Sequence, residues 1–222
     1  MNAATTGPRR FKCGLFIIGL SLPLACHADD AGEWYVRVGG LEAFYHSSAQ
    51  IDTVAGTIPG ASARVSDSTT GIIDVGYDIT SSVFVMLMAG VPPRPRISGE
   101  GTAAAFGELG AVTYGPAVAT VLYRIPVRES FQPYVGLGAA YAIILRNHDA
   151  AISDLDVHNN FGFAIQTGVE YALSGRLQIF ADVKQLWLSV NANGSLDGVL
   201  PVTARIQLNP TLISVGIKVR VK

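Results

Sequence analysis

The sequence predicts an all-β fold, an eight-stranded antiparallel up-and-down transmembrane β-barrel. Three observations carry that expectation. Apolar residues alternate with small or polar ones along successive segments, which is the period of a strand. Mean hydropathy is positive, at +0.35, and only 15% of residues are charged, against roughly 25% in soluble domains. Yet no run of about 18 apolar residues, the least a spanning helix needs, follows the first turns of the chain. Finally, the links between alternating segments are short and long in turn. In lipid every backbone donor and acceptor must be paired inside the protein, and only helices and closed barrels do that. With helices excluded by length, a barrel remains.

The first element is an export signal. Arg9, Arg10 and Lys12 form a positive region, Cys13 to Leu24 is nearly all apolar, and Cys26 and Ala28 stand where a signal peptidase reads small residues. Residues 1–28 are therefore expected to be a cleaved signal peptide and 29–222 the barrel. An acylated Cys26 is the competing reading, poorly matched because Pro23 stands where a leucine is wanted. Cleavage after Ala28 leaves 194 of the 222 residues. Both cysteines leave with the signal, so the barrel has no thiol chemistry. The remaining chain holds 13 basic and 17 acidic residues, which argues against nucleic acid as a partner.

Eight strands follow, expected near 33–44, 69–79, 82–91, 115–125, 132–146, 160–172, 176–191 and 205–221. The sixth shows the pattern best: Phe161, Phe163, Ile165, Thr167, Val169 and Tyr171 share one parity, with Gly162, Ala164, Gln166, Gly168 and Glu170 on the other. In the second strand Ile73, Val75, Tyr77 and Ile79 oppose Asp74, Gly76 and Asp78. In the seventh Leu177, Ile179, Ala181 and Val183 oppose Gln178, Phe180, Asp182 and Lys184. A soluble barrel or sandwich also alternates. Here, however, the charged face is also the glycine-rich one, as a narrow lumen requires. Links 80–81, 126–131 and 173–175 are short. Links 45–68, 92–114, 147–159 and 192–204 are long and polar or glycine-rich, with room for one helical turn at Ala103–Phe106. Short turns on the periplasmic side and long loops outside are the outer-membrane layout. Aromatic girdles are expected from Trp34, Tyr77, Tyr123, Tyr134 and Tyr171 at one rim, and from Phe44, Tyr45, Tyr114, Phe161 and Trp187 at the other.

Several stretches resemble the OmpW family of outer-membrane proteins. Ala31-Gly32-Glu33-Trp34-Tyr35-Val36-Arg37-Val38-Gly39 resembles its first strand. Val91-Pro92-Pro93-Arg94-Pro95-Arg96-Ile97 resembles the proline-bearing end of the third, with Pro95 in place of a usual histidine. Phe131-Gln132-Pro133-Tyr134-Val135-Gly136-Leu137-Gly138 with Tyr141 is the best match. Asp182-Val183-Lys184 resembles the seventh strand, and Leu208-Asn209-Pro210 with Gly216-Ile217-Lys218-Val219 the last. The family ends on an aromatic residue read by the barrel-assembly machinery, an implied partner; Val219 stands there in this chain.

An eight-stranded barrel is just wide enough for side chains to fill, so a wide porin channel is excluded. Arg37, Asp74, Glu170, Asp182 and Lys184 are expected in the lumen, paired because lone buried charges are costly. They either brace the barrel or plug it so that solutes leave elsewhere. The resemblance implies passive uptake of small hydrophobic molecules from outside, with sideways exit into membrane lipid. Pro92, Pro93, Pro95 and Pro116 suit such a lateral gate because proline removes ladder donors; equally, they end strands at a loop. Leu145, Phe161 and Leu188 are candidates to line an upper cavity. The alternative function is a structural or surface-interaction protein acting through its outer loops. No enzyme, cofactor or metal site is expected. His46, His148 and His158 read as solvated loop residues and Asn193-Gly194-Ser195 as a turn. Gly136-Leu137-Gly138 lies inside a strand and is no phosphate loop.

Overall fold

A computed structural model describes residues 32–54, 56–196 and 198–221. The expected signal peptide, residues 1–28, lies outside the described residues. Among these residues the chain forms fifteen strands: β1 (Trp34–Phe44), β2 (Ser48–Thr53), β3 (Gly56–Thr57), β4 (Ala61–Val65), β5 (Ser68–Asp78), β6 (Val83–Gly90), β7 (Arg96–Gly101), β8 (Glu108–Arg124), β9 (Phe131–Asp149), β10 (Ile152–Val157), β11 (Asn160–Ala172), β12 (Leu177–Trp187), β13 (Ser189–Leu196), β14 (Leu200–Gln207) and β15 (Thr211–Val221). Eight of them close the barrel in the order β1-β5-β6-β8-β9-β11-β12-β15, and β15 returns to β1. Every pairing is antiparallel, from Trp34 opposite Val221 to Phe131 opposite Tyr171. Closure removes the edges that would otherwise expose unpaired backbone to lipid.

Tight turns join the strands at the rim where β1 begins. At one of them Thr80 Oγ1 accepts from the Ser82 and Val83 amides at 3.2 and 2.8 Å. At another, Leu173 N donates to Leu177 O at 2.9 Å. The described C-terminal end lies at the same rim. Val219, which stands where an aromatic is usual in the resembling family, pairs with Val36 and Leu177 inside β15.

The parity read from the sequence decides which way each side chain points. Val38, Ile73, Leu87, Val121, Leu137, Ile165, Ile217 and their neighbours are exposed around the wall, which is the apolar band of a lipid-facing surface. Leu137 lies opposite Val121 and Ile165 in this band. The variant Leu137→Arg is expected to lose about 2–4 kcal/mol of stability in lipid, read as a shift in the urea midpoint of folding into vesicles. Trp34 and Tyr171 at one rim, and Phe44, Phe161 and Trp187 at the other, are exposed as girdle residues. Trp34 packs on Tyr77 with ring centroids 5.0 Å apart, and Tyr141 on Phe161 at 4.3 Å. Three expected girdle residues turn inward instead. Tyr134 is buried in the lumen, and Tyr45 and Tyr114 pair their hydroxyls inside the barrel mouth.

The long links are the main departure from the sequence reading. They are not loops but a folded crown. β10, β13, β14, β2 and β3 form one sheet, and β4 and β7 extend the barrel sheet beside the upper half of β8. The link expected to hold a helical turn does so, as a 3-10 turn at Ala104–Phe106. The crown buries Ala63, Val65, Ile97, Leu109, Val112, Val157, Val190, Ala192 and Ile206 in one apolar core. Strand 4 therefore begins at Glu108, not near 115, and continues the barrel upward. Strands 7 and 8 break where continuity was expected: Asn209 takes φ of 35° and Pro210 follows. There Leu208 N and Asn209 N both donate to Leu188 O, at 2.8 and 3.4 Å. The ladder is interrupted at that point, and the β13–β14 hairpin departs from β12 and β15.

Candidate functional site

The barrel interior is layered, and the layers follow from strand register. Near the turn rim lies a belt of charge. Arg37 on β1 stands opposite Asp74 on β5 and Lys218 on β15. Asp182 on β12 stands opposite Gly168 and Ser214. All five expected lumen residues, Arg37, Asp74, Glu170, Asp182 and Lys184, are buried together.

Asp182 is the hub. It accepts from Arg37, from Tyr134 Oη at 3.0 Å, from Gln166 Nε2 at 3.2 Å, from Lys184 Nζ at 2.7 Å and from Ser214 Oγ at 2.6 Å. Arg37 Nε also approaches Asp74 Oδ2 at 3.0 Å, a charge contact without hydrogen-bond alignment. Its guanidinium lies 3.5 Å from the Phe180 ring centroid.

Three charged members were absent from the expected set: Asp78, Arg124 and Lys218. Arg124 reaches Asp78 Oδ1 at 2.6 Å, and Lys218 reaches Glu170 Oε2 at 2.7 Å. Asp78 shares the parity of Asp74 on its own strand, so there the pattern held the signal; Arg124 and Lys218 lie on strands from which no residue was expected in the lumen. Four cations thus face four carboxylates, and the belt carries no net charge. Space for it comes from glycine. A Cβ on Gly76 would lie 2.0 Å from the Tyr35 ring, and one on Gly168 would lie 2.5 Å from the Tyr134 hydroxyl.

Above the belt the lumen turns apolar, with Leu41, Ala43, Ile72, Met88, Val118, Phe180, Leu186 and Leu212 in one cluster. Three narrow cavities then stack toward the crown. The lowest holds about 480 Å³ of atom-free space between Leu41, Tyr45, Pro93, Tyr114, Leu188 and Leu212. The middle one, about 430 Å³, shares Tyr45, Tyr114, Ala142 and Leu208 with the lowest. The highest, about 450 Å³, shares Ile97 and Ile206 with the middle one. That space includes openings to solvent. The room left for a water-sized body is only about 20, 30 and 50 Å³ in turn, enough for one to a few waters, so the column must widen to admit a solute. Of the three residues expected to line an upper cavity, only Leu188 does. Leu145 is 51% exposed and Phe161 71% exposed, both on the outward parity of their strands, so they belong to the outer surface.

The prolines stand at the lowest cavity. Pro93 and Pro116 line it, Pro95 lines the middle one, and Pro92 is exposed on the outside. Pro93 O and Pro95 O accept from Tyr114 N and Val112 N on β8, both at 3.3 Å. Toward β5 the backbone pairing stops. Val91 N bonds Gly71 O at 2.8 Å, and Ser66 N bonds Arg96 O at 2.9 Å. Between these points no backbone hydrogen bond joins residues 67–70 to 92–95. Pro116 was expected at the start of a strand that frames a gap. It lies inside β8 instead, paired with Ala142 of β9, and interrupts the ladder to β6 at Gly90. The unpaired stretch of wall is on the β5 side, because the proline segment adheres to β8.

The outer histidines serve the crown separately. His148 Nε2 pairs with Thr113 Oγ1 at 3.1 Å, and His158 Nε2 with Asn193 Nδ2 at 3.0 Å.

Comparison with known proteins agrees with this architecture. The sequence model of the OmpW family matches residues 30–221. The dibenzothiophene metabolism operon protein PahQ of Pseudomonas aeruginosa is 30% identical over 204 residues, covering 90% of this chain and 96% of its own. Outer membrane protein AlkL of Ectopseudomonas oleovorans is 30% identical over 83% of this chain and 80% of its own. Among solved structures, the outer membrane protein OprG from Pseudomonas aeruginosa superposes with a TM-score of 0.81 at 20% identity, covering 86% of this chain and 97% of its own. The outer membrane is the compartment named for AlkL and OprG, and the closed barrel with its apolar wall belongs in it. With the family model matched across nearly all of the barrel, the chain belongs to the OmpW family of outer-membrane β-barrel proteins.

Proposed function

We propose that this barrel takes up small apolar solutes from outside through the crown and releases them sideways into the membrane between residues 67–70 and 92–95. The observation that carries the reading is one continuous feature. A stack of apolar cavities runs down from the crown and ends beside the unpaired stretch of wall, while paired charges fill the barrel below. A greasy solute lowers its free energy by leaving water for such a column, by about 25 cal/mol per Å² of apolar surface. It gains nothing by crossing the belt, where four buried cations face four buried carboxylates. The membrane interior beside the wall is the favourable sink. Pro92, Pro93 and Pro95 keep that wall segment from pairing with β5: Pro92 lacks an N–H, and the fixed φ of the prolines, with the Pro93 and Pro95 carbonyls turned to β8, holds the segment off regular strand geometry.

The solute class follows from the lining and from one relative's name. That relative is named for dibenzothiophene metabolism, and dibenzothiophene is a small, rigid, apolar aromatic. Cells carrying the full-length chain are expected to accumulate dibenzothiophene from outside several-fold faster than cells without it. Equal rates, with the barrel verified in the outer membrane, overturn the proposal.

A further inference from the structure

The stacked cavities are mostly apolar, with Ser68 and Thr70 at the edge of the lowest and Asn193 at the edge of the highest. Of the residues shared by the lowest and middle cavities, only Tyr45 and Tyr114 carry side-chain polar atoms. Their hydroxyls are hydrogen-bonded to each other across the lumen. The two tyrosines are also anchored to opposite banks of the unpaired wall. Tyr45 N donates to Asp67 Oδ1 at 2.9 Å, next to β5. Tyr114 N donates to Pro93 O at 3.3 Å, on the proline segment. The hydroxyl bridge therefore spans from one bank to the other on the inner side, at the point where the column meets the wall.

Resting on the uptake reading above, we propose that the Tyr45–Tyr114 bridge is a latch at this junction, and that it favours solutes carrying one hydrogen-bonding group over pure hydrocarbons of the same shape. A solute moving from the middle cavity to the lowest must part the two hydroxyls. In an apolar lining a parted hydroxyl has no water to turn to, and an unmet buried donor or acceptor is costly. A hydrocarbon leaves the Tyr114 hydroxyl unmet during passage, while Ser68 stands beside the Tyr45 hydroxyl. A phenol or alcohol supplies the missing partner and moves through with a bond in place. Parting the hydroxyls also frees the Pro93 bank from the Asp67 bank, so solute arrival and wall opening are one event.

The test compares naphthalene with 1-naphthol, which share a ring system and differ by one hydroxyl. Uptake is measured in intact cells carrying the full-length chain, its Tyr45→Phe/Tyr114→Phe variant, or no barrel. The phenylalanine rings keep the packing and remove only the hydroxyls. The wild-type chain is expected to favour 1-naphthol after subtraction of the barrel-free rate. In the double variant naphthalene uptake rises and the 1-naphthol to naphthalene ratio falls about fivefold, the effect of one net hydrogen bond. An unchanged ratio in the variant, with uptake still above the barrel-free rate, overturns the latch and leaves the uptake reading standing. Wild-type rates equal to barrel-free rates for both probes overturn the uptake reading and the latch with it.

Discussion

Replacing Asp182 with alanine is expected to destabilise the barrel by about 3–5 kcal/mol, the usual consequence of removing one partner from a buried ion network. Asp182 accepts from five side chains contributed by β1, β9, β11, β12 and β15. Without its carboxylate, Lys184 loses its ion-pair partner, and Arg37 keeps only Asp74 and the more distant Glu170, at 3.9 Å. Both cations remain fully buried. Their desolvation is then no longer offset, which is why the effect exceeds that of a lost hydrogen bond between neutral groups. The variant Asp182→Asn keeps an acceptor but no charge and is expected to fall between the two. A second construction separates charge imbalance from lost packing. Asp182→Leu combined with Lys184→Met removes one charge of each sign, leaving three cations against three carboxylates. It is expected to recover at least half of the loss, because apolar replacement of a whole buried pair is often near neutral. Urea midpoints for folding into lipid vesicles read all three. An Asp182→Ala barrel within about 1 kcal/mol of the parent, below the range for a broken buried pair, contradicts a mutually dependent belt.

The second large effect concerns the wall. Exchanging Pro92, Pro93 and Pro95 for threonine and valine is expected to cut solute uptake about tenfold or more while leaving the fold intact. The exchange returns three N–H groups, lifts the fixed φ of the prolines and frees the residues before them to take regular strand geometry. Residues 91–96 are then able to run as one strand from β6 into β7, paired with β5 as well as β8. Two or three new ladder bonds at about 1 kcal/mol each shift any opening equilibrium toward closed by tenfold or more. Circular dichroism of the variant is expected to show equal or higher strand content, and its thermal stability to hold or rise. Uptake at the parental rate in a folded variant removes the proline segment from the exit route.

The two effects come from residue sets of different legibility. The belt was open to a reader of the sequence because alternation fixes direction: Arg37, Asp74 and Glu170 share a parity with glycines, and Asp182 and Lys184 lie opposite the face of Leu177, Ile179 and Val183. The same rule reaches Asp78, beside Gly76, and Lys218, beside Gly216 and Ser214, but not Arg124, because on its strand the small residues Gly115, Ala117 and Ala119 lie on the opposite face. It also places Leu145 and Phe161 on the outside, because each shares parity with lipid-facing neighbours on its own strand. Their assignment to a cavity set local apolarity above strand parity. Tyr134 reverses the usual aromatic expectation because Gly168 opens space for its hydroxyl beside Asp182. That vacancy lies on the neighbouring strand and is set by register, not by sequence distance. The crown was invisible for a related reason. Its strands are short and rich in serine, alanine and glycine, so each buries too little to announce itself. They hold only because several of them share one apolar core.

By itself the sequence determined the class of fold, the number of wall strands and which face of each meets lipid. Those are properties of a two-residue period, and a two-residue period is local. Only the closed barrel decided which charges touch, where the wall lacks pairing, and that Tyr45 meets Tyr114 across sixty-nine residues of chain. Contacts of that kind depend on the stagger between strands, and no single strand carries its own stagger.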